Sequence, residues 1–233
     1  GRWLFTLALL LALVIMLPLL LVFRLLDEVL YPAYRKQPIK QPLFIISNPR
    51  SGTTALHRLM ALNEERYADV KLYHTVFPSV TLIRFFRFIG WLERPLGRPM
   101  RRFINWTDGV FFAGWDDIHP MGWNQSEEDE GLFFLSFSSA ALCLVTPWMQ
   151  AFPELAIPDR DAPRRLQRAM AWYTNSLKRI RYGAGVQHMA FLSKNVMTTG
   201  RMHGLLQAFP DAHIVYIVRT HYKSVTSFTS MFD

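Results

Sequence analysis

The sequence predicts a three-layer α/β fold with a central parallel sheet, preceded by one N-terminal transmembrane helix. Three observations carry that expectation. The uncharged run WLFTLALLLALVIMLPLLLVF at 3–23 is interrupted only by Thr6 and Pro18, long enough to cross about 30 Å of hydrocarbon as a helix. Further on, short β-rich apolar runs alternate with stretches of helical apolar period, the pattern of strands joined by covering helices. The first of these runs, LFIIS, ends in a turn signal and passes directly into TTALHRLMAL, the strand, loop and helix that begin a parallel sheet.

Bulk composition narrows the partners. A chain of 233 residues holds one domain of ordinary size plus a short appendage. Lys and Arg number 26 against 18 Asp and Glu, a formal charge of +8, which favours phosphate or sulfate esters, acidic lipid or nucleic acid. No nucleic-acid motif is present and an anchored chain is a poor candidate for that role, so nucleic acid is not an expected partner. The single cysteine, Cys143, lies in the apolar run AALCLVT; it excludes an internal disulfide, favours a reducing compartment and suits a buried position. The chain begins at Gly1 and stops at Asp233 soon after a strand-like segment, so it is expected to be a fragment whose C-terminal part is missing.

The apolar run is read as an uncleaved anchor, because it exceeds a signal-peptide core and no small-residue cleavage site follows it. Arg24, Arg35, Lys36 and Lys40 follow the run and only Arg2 precedes it. This distribution predicts a single-pass membrane protein with a cytoplasmic domain, or a domain in the Golgi lumen if the chain is a eukaryotic type II protein. The expected organisation is an anchor at 1–26, a proline-containing linker at 27–40 and one domain at 41–233.

Along that domain, ADVKLYHTVF reads as a second strand, and the basic-aromatic stretch 82–104 as a solvated helix with one packed face. Its Trp, Phe and Arg content keeps interfacial lipid contact as the alternative. Residues 126–130, SEEDE, read as a solvated helix start with Ser126 as N-cap and acids in the first turn. The apolar segment 132–152 reads as a buried helix. Then come strand FLSK, helix GRMHGLLQAF, strand HIVYIV and a helix beginning at HYKSVTSF.

The chemistry concentrates at NPRSGTT, between the first strand and helix. There the amides of Ser51, Gly52, Thr53 and Thr54 open a helix N-terminus, where the helix dipole favours an anion. Gly52 lets backbone approach a ligand, Thr53 and Thr54 add hydroxyls, and Arg50 adds a permanently charged fork. A triphosphate loop would close on Gly-Lys-Ser or Gly-Lys-Thr, and RSGTT has no such lysine.

PLFIISNPRSGTTALHRLM resembles the 5′-phosphosulfate loop of the sulfotransferases that use 3′-phosphoadenosine 5′-phosphosulfate (PAPS), in the arginine form of the membrane-associated and bacterial branches. FPDAHIVYIVRTHYKSVTSF resembles the family's 3′-phosphate motif, an arginine at a strand end with a serine eight residues on, here Arg219 and Ser227. FLSKNVM places Lys194 where the family often has a lysine. The resemblance implies a P-loop-like fold over 41–233 and transfer of a sulfuryl group from PAPS, a co-substrate, to a hydroxyl or amine of a small-molecule, lipid or glycan acceptor. No metal is required. It also implies that Arg50 and Lys194 balance charge, residues 51–54 hold the 5′ end, and Arg219 and Ser227 hold the 3′-phosphate. A family C-terminal loop over the adenosine is absent, so weak cofactor binding is expected.

Soluble members take their base from a histidine two residues after the lysine; here that place is Val196. Other branches use a glutamate that His74 replaces in YHTVFP, and an imidazole with an ordinary pKa near 6.5 suits proton abstraction. His74 is therefore the expected base, with His119 and Glu127 or Glu128 as rivals. A nucleotide-dependent kinase or hydrolase and a non-catalytic, membrane-anchored anion-binding protein are the alternative functions.

Overall fold

The computed structural model describes residues 2–112, 121–146 and 151–229. In chain order the helices are α1 (Arg2–Leu30), α2 (Thr53–Ala61), α3 (Leu72–Val76), α4 (Val80–Leu92), α5 (Pro99–Phe112), α6 (Glu130–Leu135) and α7 (Ala141–Val145). They continue with α8 (Pro158–Asp161), α9 (Pro163–Ala184), α10 (Met202–Ala208) and α11 (His221–Thr229). The strands are β1 (Leu43–Ser47), β2 (Tyr67–Ala68), β3 (Ala190–Lys194) and β4 (His213–Ile217), paired in the order β2-β3-β1-β4.

Among the described residues the pairings between β1, β2, β3 and β4 are all parallel, as the alternation of strands and helices predicts. β1 is central: Phe44, Ile45 and Ile46 are at most 1% exposed, which explains its unbroken apolar run. Register aligns Ile45 with Lys194 and Ser47 with Ile217, so the segments leaving β1, β3 and β4 emerge at one edge. The chain goes to β2 and β3 on one side of β1 and to β4 on the other. The end of β1 is thus the switch point where open α/β sheets bind ligands. The amphipathic α9 covers the core with Leu166, Met170, Tyr173, Leu177 and Ile180 against Phe44, Phe133 and Phe191. Gly183 lets α9 approach α4, since a Cβ there would lie 3.0 Å from the Ile83 Cβ.

Three expectations change. Of ADVKLYHTVF only Ala68 lies in a strand, the two-residue β2, and Leu72–Val76 form α3: the backbone of Lys71 bridges to Ser126, and the His74 side chain closes a cap at Lys71, so the chain turns helical instead of extending along β3. The segment 132–152 is not one helix. It breaks after α6, where Phe137 has φ 54° and the Ser139 hydroxyl accepts from the Ala141 amide; serines offer backbone groups alternatives to the helical ladder. The stretch 82–104 is two helices, α4 and α5, separated by a turn at 93–98.

α1 is long and apolar enough to cross a membrane, but it is not separated from the domain by a free spacer. Leu13 and Leu20 are buried with Leu82 and Leu135, joined by Leu9, Leu17, Phe23 and Trp172. Below them Asp27, fully buried, accepts from the amides of Val80 (2.9 Å) and Thr81 (2.8 Å) and from the hydroxyls of Ser79 and Thr81. A carboxylate from one helix thus caps the N-terminus of another, where backbone amides are otherwise unpaired and the dipole is positive. Arg179 of α9 pairs with Asp27 at 3.1 Å and also with Glu28. Arg24 donates to the Pro78 carbonyl, Ser176 and Asn175. The rest of 27–40 packs on α9 too, with Tyr34 fully buried under the Arg179 guanidinium.

Removing one partner of a buried pair strands the other charge. Asp27→Ala is therefore expected to destabilise the fold by about 3–5 kcal/mol, measured as a lower denaturation midpoint of the detergent-solubilised chain.

Candidate functional site

The loop after β1 has two left-handed residues, Arg50 at φ 64° and Gly52 at φ 91°. Glycine takes that conformation freely; for arginine it is a strain the surroundings must hold. What holds it is visible: the Arg219 Nη1 donates to the Arg50 carbonyl at 2.6 Å, and the Arg50 Nε donates to the Ser227 hydroxyl at 3.1 Å. Arg219 leaves the end of β4 and Ser227 lies on α11. Arg50 and the distant pair Arg219 and Ser227 therefore meet at one turn, with two guanidinium groups against one helix N-terminus.

α2 starts at Thr53, with the Gly52 carbonyl accepting from Ala55 and Leu56. Ser51 and Thr53 are buried, Gly52 is exposed, and Thr54 is half-buried. The Thr54 hydroxyl accepts from the Lys194 Nζ at 3.1 Å, and the same ammonium pairs with the Glu128 Oε1 at 3.0 Å. Lys194 itself is 2% exposed, so its charge is directed at the loop and at Glu128, not at bulk water. Burial raises the Glu128 pKa, against the opposing pull of Lys194.

The acidic run is not a solvated helix start. α6 begins only at Glu130, and Ser126 pairs through its backbone with Lys71. Asp129 accepts from Ser193 (2.6 Å), Asn195 (2.7 Å) and Tyr173, and burial raises its pKa. Glu130 accepts from Arg201 Nη2 at 2.7 and 2.8 Å and from Asn195 at 2.9 Å. Asn195 and Arg201 escaped the sequence analysis, which read Asp129 and Glu130 only as solvated acids. One signal for them was present: the acids run directly into GLFFL with no polar face between, which places them at the rim of a core.

His74 is buried on α3, and its Nδ1 accepts from the Lys71 amide at 3.2 Å. In the neutral ring that bond puts the proton on Nε2, a buried atom with no hydrogen-bond partner. Its basic lone pair is thus already in use. Burial, with Lys71 and Arg87, lowers its pKa to about 3. A second imidazole, His57 on α2, is also buried, and burial beside Lys194 lowers its pKa to about 4. His119 lies outside the described residues. A cleft of about 510 Å³ lined by Leu43, Ala190 and His213 sits at the opposite, N-terminal edge of the sheet and takes no part in this cluster.

The family described as the sulfotransferase family matches residues 42–233. Two solved structures share the fold. Sulfotransferase STF1 of Mycobacterium tuberculosis H37Rv aligns at 20% identity over 84% of this chain and 50% of its own, with a TM-score of 0.61. Sulfotransferase STF9 of Mycobacterium avium aligns at 15% identity over 90% of this chain and 50% of its own, with a TM-score of 0.66. The chain spans about half the length of either. No curated protein matches the sequence.

Both buried imidazoles make the fold acid-sensitive. The folded chain excludes protons that the unfolded chain binds below about pH 6.5, so stability falls as pH drops from there toward 4, by about 1.4 kcal/mol per unit for each histidine. Urea denaturation of wild type, His57→Gln and His74→Gln between pH 7 and 4 should show a shallower pH slope in each variant.

Proposed function

Since the chain belongs to the sulfotransferase family, we propose that it transfers a sulfuryl group from PAPS to an acceptor hydroxyl or amine at the loop following β1. The observation that carries this is the convergence of Arg50, Arg219 and Ser227 on that loop, beside the α2 N-terminus. The donor set fits the co-substrate: backbone amides and hydroxyls of Ser51, Gly52, Thr53 and Thr54 suit the 5′ end, and the Arg219 guanidinium with the Ser227 hydroxyl suits a terminal phosphate monoester. PAPS supplies the activated sulfuryl group; the protein supplies position and charge.

Arg50 and Lys194 face the transferring group. As the acceptor oxygen bonds to sulfur and the sulfur–oxygen bond to the leaving phosphate breaks, their fixed charges offset the negative charge that moves onto that phosphate. The acceptor proton needs a base. We assign it to Glu128, not His74, because the Glu128 carboxylate lies 3.0 Å from Lys194 and its pKa is raised, whereas His74 has its lone pair occupied by Lys71. The acceptor belongs to the class of small molecules, lipids or glycans with a free hydroxyl or amine. α1 attaches the chain to a membrane, with the domain on the cytoplasmic side.

Transfer of radiolabelled sulfate from PAPS to pooled lipid and glycan acceptors, using membranes containing the chain, tests the reaction. Arg50→Ala and Lys194→Ala should each lower kcat/KM by about a hundredfold or more. Glu128→Gln should lower kcat by about 10²–10⁴, while His74→Gln stays within about tenfold of wild type. A loss of that size in His74→Gln with Glu128→Gln near wild type would return the base to His74. In thermal shift, 3′-phosphoadenosine 5′-phosphate should stabilise the chain and ATP with magnesium should not; the reverse would favour a kinase or hydrolase.

A further inference from the structure

Most of the large apolar side chains left in solvent lie on α1, α4 and α5. On α4, Phe85, Phe88 and Trp91 are exposed, and on α5, Phe103, Trp106 and Val110; each set recurs at three- or four-residue spacing and so forms a stripe along its helix. Phe88 and Trp91 stack at 6.0 Å, and Phe103 and Trp106 lie 5.8 Å apart. An apolar cleft of about 450 Å³, lined by Leu92, Leu96, Met100 and Phe103, runs between the helices. Arg94, Arg98, Arg101 and Arg102 stand exposed around the turn that joins them. Aromatic stripes flanked by arginine on a helical pair match a surface that enters the headgroup region of a bilayer, and the four arginines match anionic lipid.

This surface is continuous with α1. Leu82 of α4 packs on Leu20 of α1, and Arg84 lies over the Tyr31 ring just beyond it. α1 docks one stripe, Leu9, Leu13, Leu17, Leu20 and Asp27, against the domain and leaves Leu11, Val14, Ile15, Val22, Leu25 and Val29 exposed. The docked stretch from Leu9 to Phe23 covers about 21 Å of helix at 1.5 Å per residue. If α1 crossed the hydrocarbon along that length, Leu135 and Trp172 would be drawn in with it, next to the buried Arg24, Asp27 and Arg179.

We propose that the outer face of α1 and the α4–α5 aromatic face form one lipid-contact surface, on which the domain lies in the plane of an anionic bilayer. The proposal rests on the attachment through α1 given above and adds its orientation and second contact. In this seating α1 lies at the interface, and the aromatic rings of α4 and α5 sit at the same shallow depth.

Val14→Cys and Phe103→Cys, both at exposed sites and each in a Cys143→Ser background, test it. Each is labelled with a fluorophore and the full chain is reconstituted in phosphatidylcholine vesicles with phosphatidylserine, with lipid quenchers at headgroup or bilayer-centre depth. Loss of fluorescence at both positions, greatest with the headgroup quencher, is expected, and at position 103 a smaller loss in phosphatidylcholine alone. Deep quenching at 14 with none at 103 overturns the seating and leaves α1 a crossing anchor. No quenching at 14 overturns the attachment itself, whatever the enzymatic activity. Position 103 protected from lipid in a chain that crosslinks as a dimer would assign the face to a second copy and overturn the proposal. Equal loss at 103 in both lipids removes the anionic requirement and overturns that part.

Discussion

Four consecutive acids, Glu127 to Glu130, are carried to the end of β3 at the rim of the core, and much of the architecture follows from pairing them. An ionised carboxylate out of water is costly unless it is bonded. Here Glu128 has Lys194, Asp129 has Ser193, Asn195 and Tyr173, and Glu130 has Arg201 and Asn195. Those partners come from β3, the turn after it and α9, so one short run ties the sheet to the helix that covers it. The same run orients Lys194, whose ammonium reaches Thr54 at the start of α2. The loop after β1 is thereby coupled to the core through a chain of two bonds.

A second buried carboxylate, Asp27, does comparable work between α1, α4 and α9. Asp27 caps α4 from α1 and balances Arg179 of α9, so three helices share one charge. Because the cap is buried, the helix that resembles a membrane anchor is held to the domain along one stripe while its remaining surface is lipid-like. Local sequence shows only an apolar run followed by charges; it cannot show that those charges turn inward.

The loop was the most legible part of the sequence. LFIIS followed by NPRSGTT places a helix N-terminus, a flexible glycine and a fixed cation in order, since each depends on local backbone chemistry alone. Arg219 and Ser227 were legible as a motif, and the parallel register of β4 beside β1 brings them to Arg50. His74 was harder. An unperturbed pKa made it a reasonable base, but a strand that becomes α3 after two residues turns its Nδ1 to the Lys71 amide and buries the ring. Glu128 stood only as a rival base, because a run of acids resembles a solvated helix start until long-range partners such as Lys194 claim its members.

By itself the sequence determined the alternating parallel α/β layout, the apolar N-terminal helix and the strand–loop–helix turn at NPRSGTT, because periodicity, length and turn chemistry are local properties. Only the tertiary structure decided which charged side chains point inward, which face of α1 is covered, and which titratable group stands beside Lys194. Those depend on contacts between residues far apart in the sequence, such as Lys194 with Glu128 and Thr54, and Asp27 with Val80 and Arg179. Burial lowers the pKa of His57 and His74 and raises that of Glu128 and Asp129, shifts that no local pattern encodes.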